Sequence, residues 1–314
     1  MKGMLYTADH HVYELPPLLE WNVRHTGTVP CDSWSVTAVY RPEMAPVLKM
    51  AAGFAAVEDG QTQLRGIVDE YSVELDQNGL TVTLAGRGYA ARLLDNESRP
   101  VTYERVTLRE LLRRHAEPYG ITVGEAVELS PAAPYTAGAG SSQWKVISEF
   151  CRVYGGFLPR FSKTGELLAA PEQAGRQLVL DESSPIRSCR LREDHYGVIT
   201  EALVIDKRQN ISYSVRNPEM IRKGGQCRRV VYTPGKSTWA AMRYTGEYQI
   251  QQSRQDEKTV TVSLPGSFGA FPGDRAELRL SKLGLEGFFR VAEAENRFSA
   301  REGAVMTWTL KECE

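Results

Sequence analysis

Residues 260–299 read VTVSLPGSFGAFPGDRAELRLSKLGLEGFFRVAEAENRFS, a stretch of strands and turns with almost no reactive side chain. Val260 and Val262 alternate with small hydroxyl residues, which is typical of a half-buried strand. Pro272 and Gly273 then stand just before another alternating run. Because proline fixes φ and glycine accepts a positive φ, this pair predicts a tight type II turn that sets strand register.

The same alternation dominates the first hundred residues. In SWSVTAVYR, the side chains of Trp34, Val36 and Ala38 fall on one face of a strand and hydroxyl groups fall on the other. Turn signals at residues 58–60 and 76–79 separate the following runs, and the second contains an Asn-Gly pair, which favours a hairpin. Several short antiparallel strands at this spacing indicate a barrel or a sandwich.

The middle of the chain changes character. Thr107 and Glu110 have the spacing of a helix capping box and precede the apolar face of LRELLRRH. A second helix is predicted in QWKVISEFCRVYGG (143–156), and a hairpin is predicted to turn at residues 163–165. Residues 99–176 therefore indicate a small α/β module.

Strands return from residue 188, with one interruption. STWAAMRYTGEYQIQQSR (237–254) predicts a helix, although Gly246 weakens it by about 1 kcal/mol relative to alanine. The predicted fold class is α+β and mostly β, with two barrel-like domains flanking a small α/β insert. The domains are expected at residues 1–98, 99–176 and 177–314, the last one containing one helix, and no exact internal repeat is visible.

Composition excludes some classes of function. The 314 residues are 42% hydrophobic and 25% charged, as in ordinary globular proteins. With 38 basic and 39 acidic side chains, the net charge of -1 gives no overall attraction to nucleic acid or to an anionic membrane. No export signal or apolar run of about 20 residues is visible, so we expect a protein made and folded inside a cell, without a membrane-spanning segment.

The cysteines and histidines offer little chemistry. Five cysteines lie far apart without a Cys-x-x-Cys pair, which predicts free thiols and no zinc site; they are Cys31, Cys151, Cys189, Cys227 and Cys313. His10 and His11 are adjacent, and adjacent strand residues point to opposite faces, so a solvated pair is the better interpretation. Cys189 and His195 could form a nucleophile and base, but no nucleophile turn or oxyanion hole accompanies them.

The glutamates and glycines that could suggest an active site also have simpler structural interpretations. The predicted insert carries several glutamates that could serve a glycosidase but more simply form a solvated face: Glu104, Glu110, Glu117, Glu125 and Glu128. Gly86 and Gly88 follow a strand but lack the complete dinucleotide-binding pattern, since Ala91 stands where its third glycine belongs. A sharp exit from the strand is the preferred interpretation. We therefore predict no catalytic, cofactor-binding or metal-binding residue, no cofactor, and no enzyme.

Four stretches in order resemble one protein family. They are LAGRGYAARLLDNE (84–97), TLRELLRRHAEPYGI (107–121), SSQWKVISEFCRVYGGFLPRFSKTGELLAAP (141–171) and FPGDRAELRLSKLGLEGFFRVAEAENRFSAREGAVMTWTLKE (271–312). Together they are similar to the baseplate hub proteins of contractile phage tails, including late-control D-like tail proteins and related proteins of defective prophages. The family pattern has a carboxylate at the position of Gln143, a departure that affects no known chemistry.

The resemblance implies a structural role. Such hubs are homotrimers in which two barrel-like domains per chain create six similar units around an axis and adapt a sixfold tail tube to a threefold central spike. The implied partners are further copies of the chain, the tail tube protein, the central spike protein and other baseplate proteins. The implied location is a virion or tail-like particle, assembled in the bacterial cytoplasm.

Two alternatives of other classes stay open at this point. Some hub proteins carry cell-wall hydrolase domains, so a tail-associated peptidoglycan hydrolase is one alternative. A cell-wall carbohydrate-binding protein is the other, supported by five tryptophans and fourteen tyrosines, many of them on faces expected to be core.

Overall fold

The computed structural model describes residues 1–27, 31–77, 79–173, 175–233 and 237–313. The chain is mostly β with a few helices, which confirms the predicted class. The elements up to residue 94 are β1 (Lys2–Thr7), β2 (Val12–Glu14), β3 (Leu18–Thr26), β4 (Ser33–Val39), α1 (Ala45–Met50), β5 (Ala51–Glu58), β6 (Gln61–Asp76), β7 (Gly79–Gly88) and α2 (Ala90–Leu94).

Short elements fill the middle of the chain. They are β8 (Val101–Tyr103), α3 (Leu108–His115), β9 (Val123–Ala126), β10 (Tyr135–Ala137), α4 (Gln143–Phe150), a π-helical turn (Cys151–Gly155), β11 (Arg160–Phe161) and β12 (Leu167–Ala169). The capping box at Thr107 and Glu110 is confirmed, because each side chain bonds the other residue's backbone N–H. The hairpin predicted at 163–165 is confirmed between β11 and β12.

The last region contains both long strands and a small subsheet. Its elements are β13 (Gln177–Asp181), β14 (Ser188–Glu193), β15 (Glu201–Asp206), β16 (Ile211–Arg216), α5 (Pro218–Arg222), β17 (Arg228–Tyr232), α6 (Trp239–Ser253), β18 (Lys258–Pro265), β19 (Arg275–Leu280), β20 (Leu285–Ser299) and β21 (Gly303–Glu312). Single-turn 3-10 helices lie at Pro42–Met44, Glu117–Tyr119 and Ser281–Leu283.

One sheet of 13 strands joins the two β-rich regions. The first region has the order β3-β4-β7-β6-β5-β1-β2, the last has the order β14-β18-β21-β20-β19-β13, and β3 pairs with β20 to make the sheet continuous. The described strands pair along an open path, so no closed barrel is formed by these residues. Each region nevertheless keeps its own cluster of buried hydrophobic side chains, and a third cluster lies in the middle of the chain.

Residues 201–253 depart from the sequence prediction. They contain two helices where one was expected, and β15, β16 and β17 form a separate three-stranded sheet. The predicted helix is confirmed as α6, which packs on β15 and β16. A Cβ at Gly246 would clash with Val215, so the glycine that weakens the helix also allows its close approach to the sheet.

The predicted turns are found where the structure describes them. Asp59 and Gly60 both have positive φ between β5 and β6, and Gly273 has a φ of 97°. The Asp274 N–H donates to the Phe271 carbonyl at 3.0 Å and closes the expected type II turn. Asn78, in the predicted hairpin between β6 and β7, lies outside the described residues, but the two strands pair down to Asp76 and Gly79.

Ser267 lies in a loop, but its side chain makes a specific contact with the other β-rich region. Its hydroxyl donates to the Glu58 carboxylate, with distances of 3.0 and 2.9 Å to the two oxygens. A substitution such as Ser267→Val would therefore remove a hydrogen bond between the two β-rich regions.

We predict that Gly273→Ala destabilises the protein by about 1–3 kcal/mol, because a positive φ is costly for alanine. The added Cβ would also lie 2.5 Å from Glu172 Oε1. Urea unfolding would measure the loss. Gly138→Ala is the control: Gly138 is exposed, its backbone is not left-handed, and the nearest atom to an added Cβ is 4.0 Å away. Equal, small losses at both positions would contradict the assigned turn.

Candidate functional site

The joint between the two β-rich regions has a polar face and an apolar face. β3 and β20 run antiparallel, with Thr26 opposite Glu293 at one end and Trp21 opposite Phe298 at the other. On the polar face Arg24 donates to Glu293 at 2.5 Å. Asn22 Nδ2 donates to Glu295 Oε1 at 2.8 Å. Cross-strand pairs of opposite charge stabilise an antiparallel ladder and fix its register.

The apolar face of the joint is closed by a loop of the last region. Phe268, in the loop after β18, stacks on Trp21 with ring centroids 5.6 Å apart, and Phe298 stacks on the same indole at 6.2 Å. The backbone N–H of Phe268 donates to Asn296 Oδ1 at 2.6 Å, which holds the loop against β20. Phe268 is therefore part of the first region's core although it belongs to the second.

The middle module meets both regions around a cavity of about 190 Å³. Its lining includes Asp32 from the first region, Trp144 from the module, and Phe271 from the last region. Lys163 donates to Gln63 at 3.0 Å and lies 5.3 Å from the Phe271 ring centroid. Burial lowers the pKa of Lys163. The hydrogen bond to Gln63 and the contact with the Phe271 ring stabilise this lysine side chain where the module meets the two regions.

The candidate nucleophile and metal residues are not brought together. Exposed His11 pairs with Asp9 at 3.1 Å, and His10 occupies a turn with a φ of 68°. Cys189 lies on β14 and His195 follows it in a turn, and no contact joins them in the part of the chain that the structure describes. Burial raises the pKa of the Cys189 thiol, so that the thiolate is disfavoured.

The remaining candidates also have structural roles. The five glutamates of the middle module that were candidates for a glycosidase site are all exposed, as a solvated face requires: Glu104, Glu110, Glu117, Glu125 and Glu128. Gly86 needs a correction, because it lies inside β7, where a Cβ would clash with the Ile67 carbonyl oxygen and with Trp34. Close backbone approach explains that glycine, whereas Gly88 does end the strand.

Among the described residues, no group of three His, Cys, Asp or Glu side chains could hold a metal ion, and no helix is long and apolar enough to cross a membrane. All five cysteines are free thiols. Burial raises the pKa of Cys31 to about 11 and that of Cys151 to about 12, so both are protonated at neutral pH.

Two histidines are buried, and the sequence pattern places only one of them, His115, on a predicted apolar helix face. His25 is 1% exposed, and its Nδ1 lies 2.9 Å from the Asp32 carboxylate, which also accepts the Thr26 N–H. Its ring packs edge-on against Phe271 at 4.9 Å. His25 follows Trp21 and Val23 at alternate positions of β3, and this alternation is the sequence signal that indicates its buried face.

The second histidine lies in the core of the middle module. His115 Nδ1 is 2.6 Å from Gln143 Oε1, and His115 Nε2 is 3.0 Å from the Tyr103 hydroxyl. The Gln143 amide nitrogen donates to Glu97 O at 3.0 Å and to the Tyr119 hydroxyl at 2.7 Å, so its oxygen faces the imidazole. Nδ1 of His115 is then the donor to this oxygen. Burial lowers the pKa of His115 in agreement with this arrangement.

Solved structures of other proteins share the fold of this chain. The tail protein from Neisseria meningitidis MC58 matches with a TM-score of 0.79 at 16% identity, over 99% of this chain and 96% of that chain. A tail protein of prophage MuSo2 from Shewanella oneidensis matches with a TM-score of 0.79 at 14% identity, over 99% and 97%. This chain has the fold of phage tail proteins.

A third match comes from a secretion machine. An E. coli component of the type VI secretion system, described as structurally similar to T4 bacteriophage tail proteins gp27 and gp5, matches with a TM-score of 0.56 at 12% identity, over 95% of this chain and 74% of that one. No protein-family model and no curated protein matches the sequence. The fold is thus shared across 95–99% of the chain although few residue identities are.

We predict that Gln143→Glu destabilises the protein most at high pH. A carboxylate at this position cannot donate to Glu97 O and carries a buried charge, so we expect a loss of about 1–3 kcal/mol at pH 8. Near pH 5.5 a protonated His115 can pair with the new carboxylate, and the loss should shrink. In the wild type the sign is opposite: burial lowers the pKa of folded His115, so stability is lost as the pH falls through the unfolded pKa of about 6.5 toward the lower folded pKa.

Urea unfolding of wild type and variant at both pH values would measure this difference. Gln177→Glu, which adds a carboxylate at an exposed position of β13, is the control and should show no such dependence. A loss for Gln143→Glu that does not change with pH would contradict the assigned histidine–glutamine pair.

Proposed function

We propose that this chain is a structural hub of the baseplate of a contractile phage tail or tail-like particle, where it adapts a sixfold tail tube to a threefold central spike. The observation that carries the proposal is the extent of the fold likeness: both tail proteins match over 99% of this chain, and 96–97% of their own length is covered. The likeness therefore involves the whole architecture and not one module.

The arrangement of strands supports a ring. Each β-rich region presents the same strand order from β3 to β1 and from β14 to β13, and one strand pair joins them within the chain. Three copies would supply six such units, and closed rings are the soluble outcome of head-to-tail interfaces. The domains of this proposal are residues 1–98, the insert at 99–176, and residues 177–314, within which 201–253 form the additional subsheet.

The partners in this proposal are other copies of the chain, the tail tube protein, the spike protein and other baseplate proteins. The particle is assembled in the bacterial cytoplasm. No chemistry is assigned to the chain: Nδ1 of His25 and Nδ1 of His115 are each hydrogen-bonded to a neighbouring side chain, and the thiols of Cys31 and Cys151 are protonated. A joint between two symmetric assemblies needs surfaces and strand edges, and a reactive site adds nothing to it.

We predict a trimer. Light scattering of the purified protein, or mass measurement of the assembled particle, should give a multiple of three chains of 35.0 kDa, and electron microscopy should show a ring with a central channel. A chain that stays monomeric within the complete particle would contradict the proposal. Incubation with purified cell walls separates the alternatives, because lysis would indicate a hydrolase and co-sedimentation a carbohydrate-binding protein.

A further inference from the structure

The two longest strands of the sheet are counterparts of each other. β6 and β20 each form a hairpin with the following strand, β7 or β21, and each is bulged near its middle, at Val68/Glu70 and at Val291/Glu293. The half before the bulge pairs on its other side with β5 in the first region and with β19 in the second. The bulges thus align Glu70 with Glu293.

Residue-by-residue register extends this alignment. Thr37 on β4 and Thr83 on β7 are opposite each other and hydrogen-bonded at 3.0 Å. Ser263 on β18 and Thr307 on β21 are opposite each other and hydrogen-bonded at the same distance. The alignment that superimposes Glu70 on Glu293 also superimposes these two pairs, and β4 and β18 share one alternation of buried and exposed residues.

The outermost strands of this alignment are β3 and β14. Arg24 of β3 lies opposite Ser33 of β4, and Arg192 of β14 lies opposite Thr259 of β18. Since Ser33 and Thr259 are counterparts, Arg24 and Arg192 are counterparts as well. The first of these arginines donates to Glu293 across the joint.

One half of the expected pairing is missing within a single chain. The half of β20 after its bulge pairs with β3, but the corresponding residues of β6, 70–75, pair on one side only among the described strands. β14 likewise pairs on one side only, with β18. An unpaired edge of this length invites addition of another strand.

We propose that residues 70–75 of β6 pair antiparallel with β14 of a second copy of this chain, in the register that β20 and β3 use within the chain. This inference rests on the proposed ring, and it names the strands and residues that close it. In this register Glu74 lies opposite Arg190, Leu75 lies opposite Cys189, and Glu70 takes the place of Glu293 beside Arg192.

Charge and exposure fit this occupant. Residues 70–75 carry the carboxylates of Glu70 and Glu74, while β14 carries Arg190, Arg192 and Glu193. Asp69, at the bulge, already pairs with Arg87 of its own chain. Arg192 pairs with Asp194 in the single chain, so in the ring its guanidinium lies between that carboxylate and Glu70. In the same register Glu70 lies opposite Asp194 and Tyr71 lies opposite Glu193, so the charge complementarity rests on Glu74 with Arg190 and on Arg192 between two carboxylates.

The other face of the same two strands is apolar and exposed. Leu75 is 76% exposed, Val73 42% and Leu191 39%, and the proposed register places Val73 opposite Leu191. Within the chain the counterpart of Leu75 is Phe298, which is covered by Trp21. Pairing with a second copy would therefore remove Val73 and Leu75 from water, as the pairing of β20 with β3 already covers the counterparts of these residues at the joint.

Cysteine cross-linking tests the register. Leu75→Cys places a thiol opposite Cys189 of the neighbouring copy, within the Cα separation of about 4.5–5.5 Å found for opposed residues. Mild oxidation of the purified protein should give covalent dimers and trimers on a non-reducing gel. Ser72→Cys, on the opposite face of the same strand, and Leu75→Cys combined with Cys189→Ser should give none.

Charge exchange tests the pairing without new covalent bonds. Glu74→Arg and Arg190→Glu each place like charges opposite each other and should convert the trimer to monomer in light scattering. The double variant restores opposite charges and should restore the trimer. Both residues are exposed in the single chain, so folding is expected to be unaffected, which circular dichroism would check.

The outcomes separate this inference from the proposed function. A trimer that forms no Leu75–Cys189 cross-link, or that ignores both single charge variants, would overturn the strand pairing and leave the structural hub standing. A cross-linked open dimer would support the pairing and contradict the ring. A chain that is monomeric at all concentrations, and gives no cross-link within assembled particles, would overturn both.

Discussion

The antiparallel pair of β3 and β20 is the contact on which the rest of the molecule depends. Both strands belong to separate hydrophobic clusters, and their backbone ladder is the place where those clusters become parts of one sheet. Without the ladder, each region would expose an edge of unpaired N–H and C=O groups beside buried aromatic rings. The stacking of Phe268 on Trp21 then makes the joint specific, since the loop that carries Phe268 can close the first core only when the strands are in register.

The two β-rich regions repeat a pairing scheme while sharing little sequence, and the reason lies in what a half-buried strand requires. SWSVTAV in β4 and TVTVSLP in β18 keep apolar residues on one face and small hydroxyl residues on the other, but any β-branched or aromatic residue satisfies the apolar positions. The regions also differ where they face other parts of the protein: β1 pairs antiparallel with β5, whereas β13 pairs parallel with β19. The subsheet of residues 201–253 further separates β14 from β18 along the chain.

Local signals in the sequence therefore predicted local structure well. The alternation of β4 and β18, the capping box at Thr107 and the turn at Gly273 each follow from a few neighbouring residues. The joint could not be predicted, because β3 and β20 lie about 270 residues apart and neither carries a signal that names its partner. The hydrogen-bond partners of the buried histidines and the close contacts of Gly86 could not be predicted for the same reason, since they depend on side chains and backbone that lie far away in the sequence.

The length of β6 is the feature that its own region does not explain. Its first half pairs with β5 and contributes Leu64 to the core, whereas residues 70–76 are exposed on both faces even though they alternate between apolar and charged side chains. Alternation is maintained where one face of a strand is covered, and a strand with two solvated faces gains nothing from Tyr71, Val73 and Leu75. β20 shows what such an extension does when a partner is present: its corresponding half pairs with β3 and buries Asn296 and Ala294. The second half of β6 and the open side of β14 are thus two complementary edges of the same chain, and a head-to-tail assembly would join one of these edges in each copy to the other edge in the next copy.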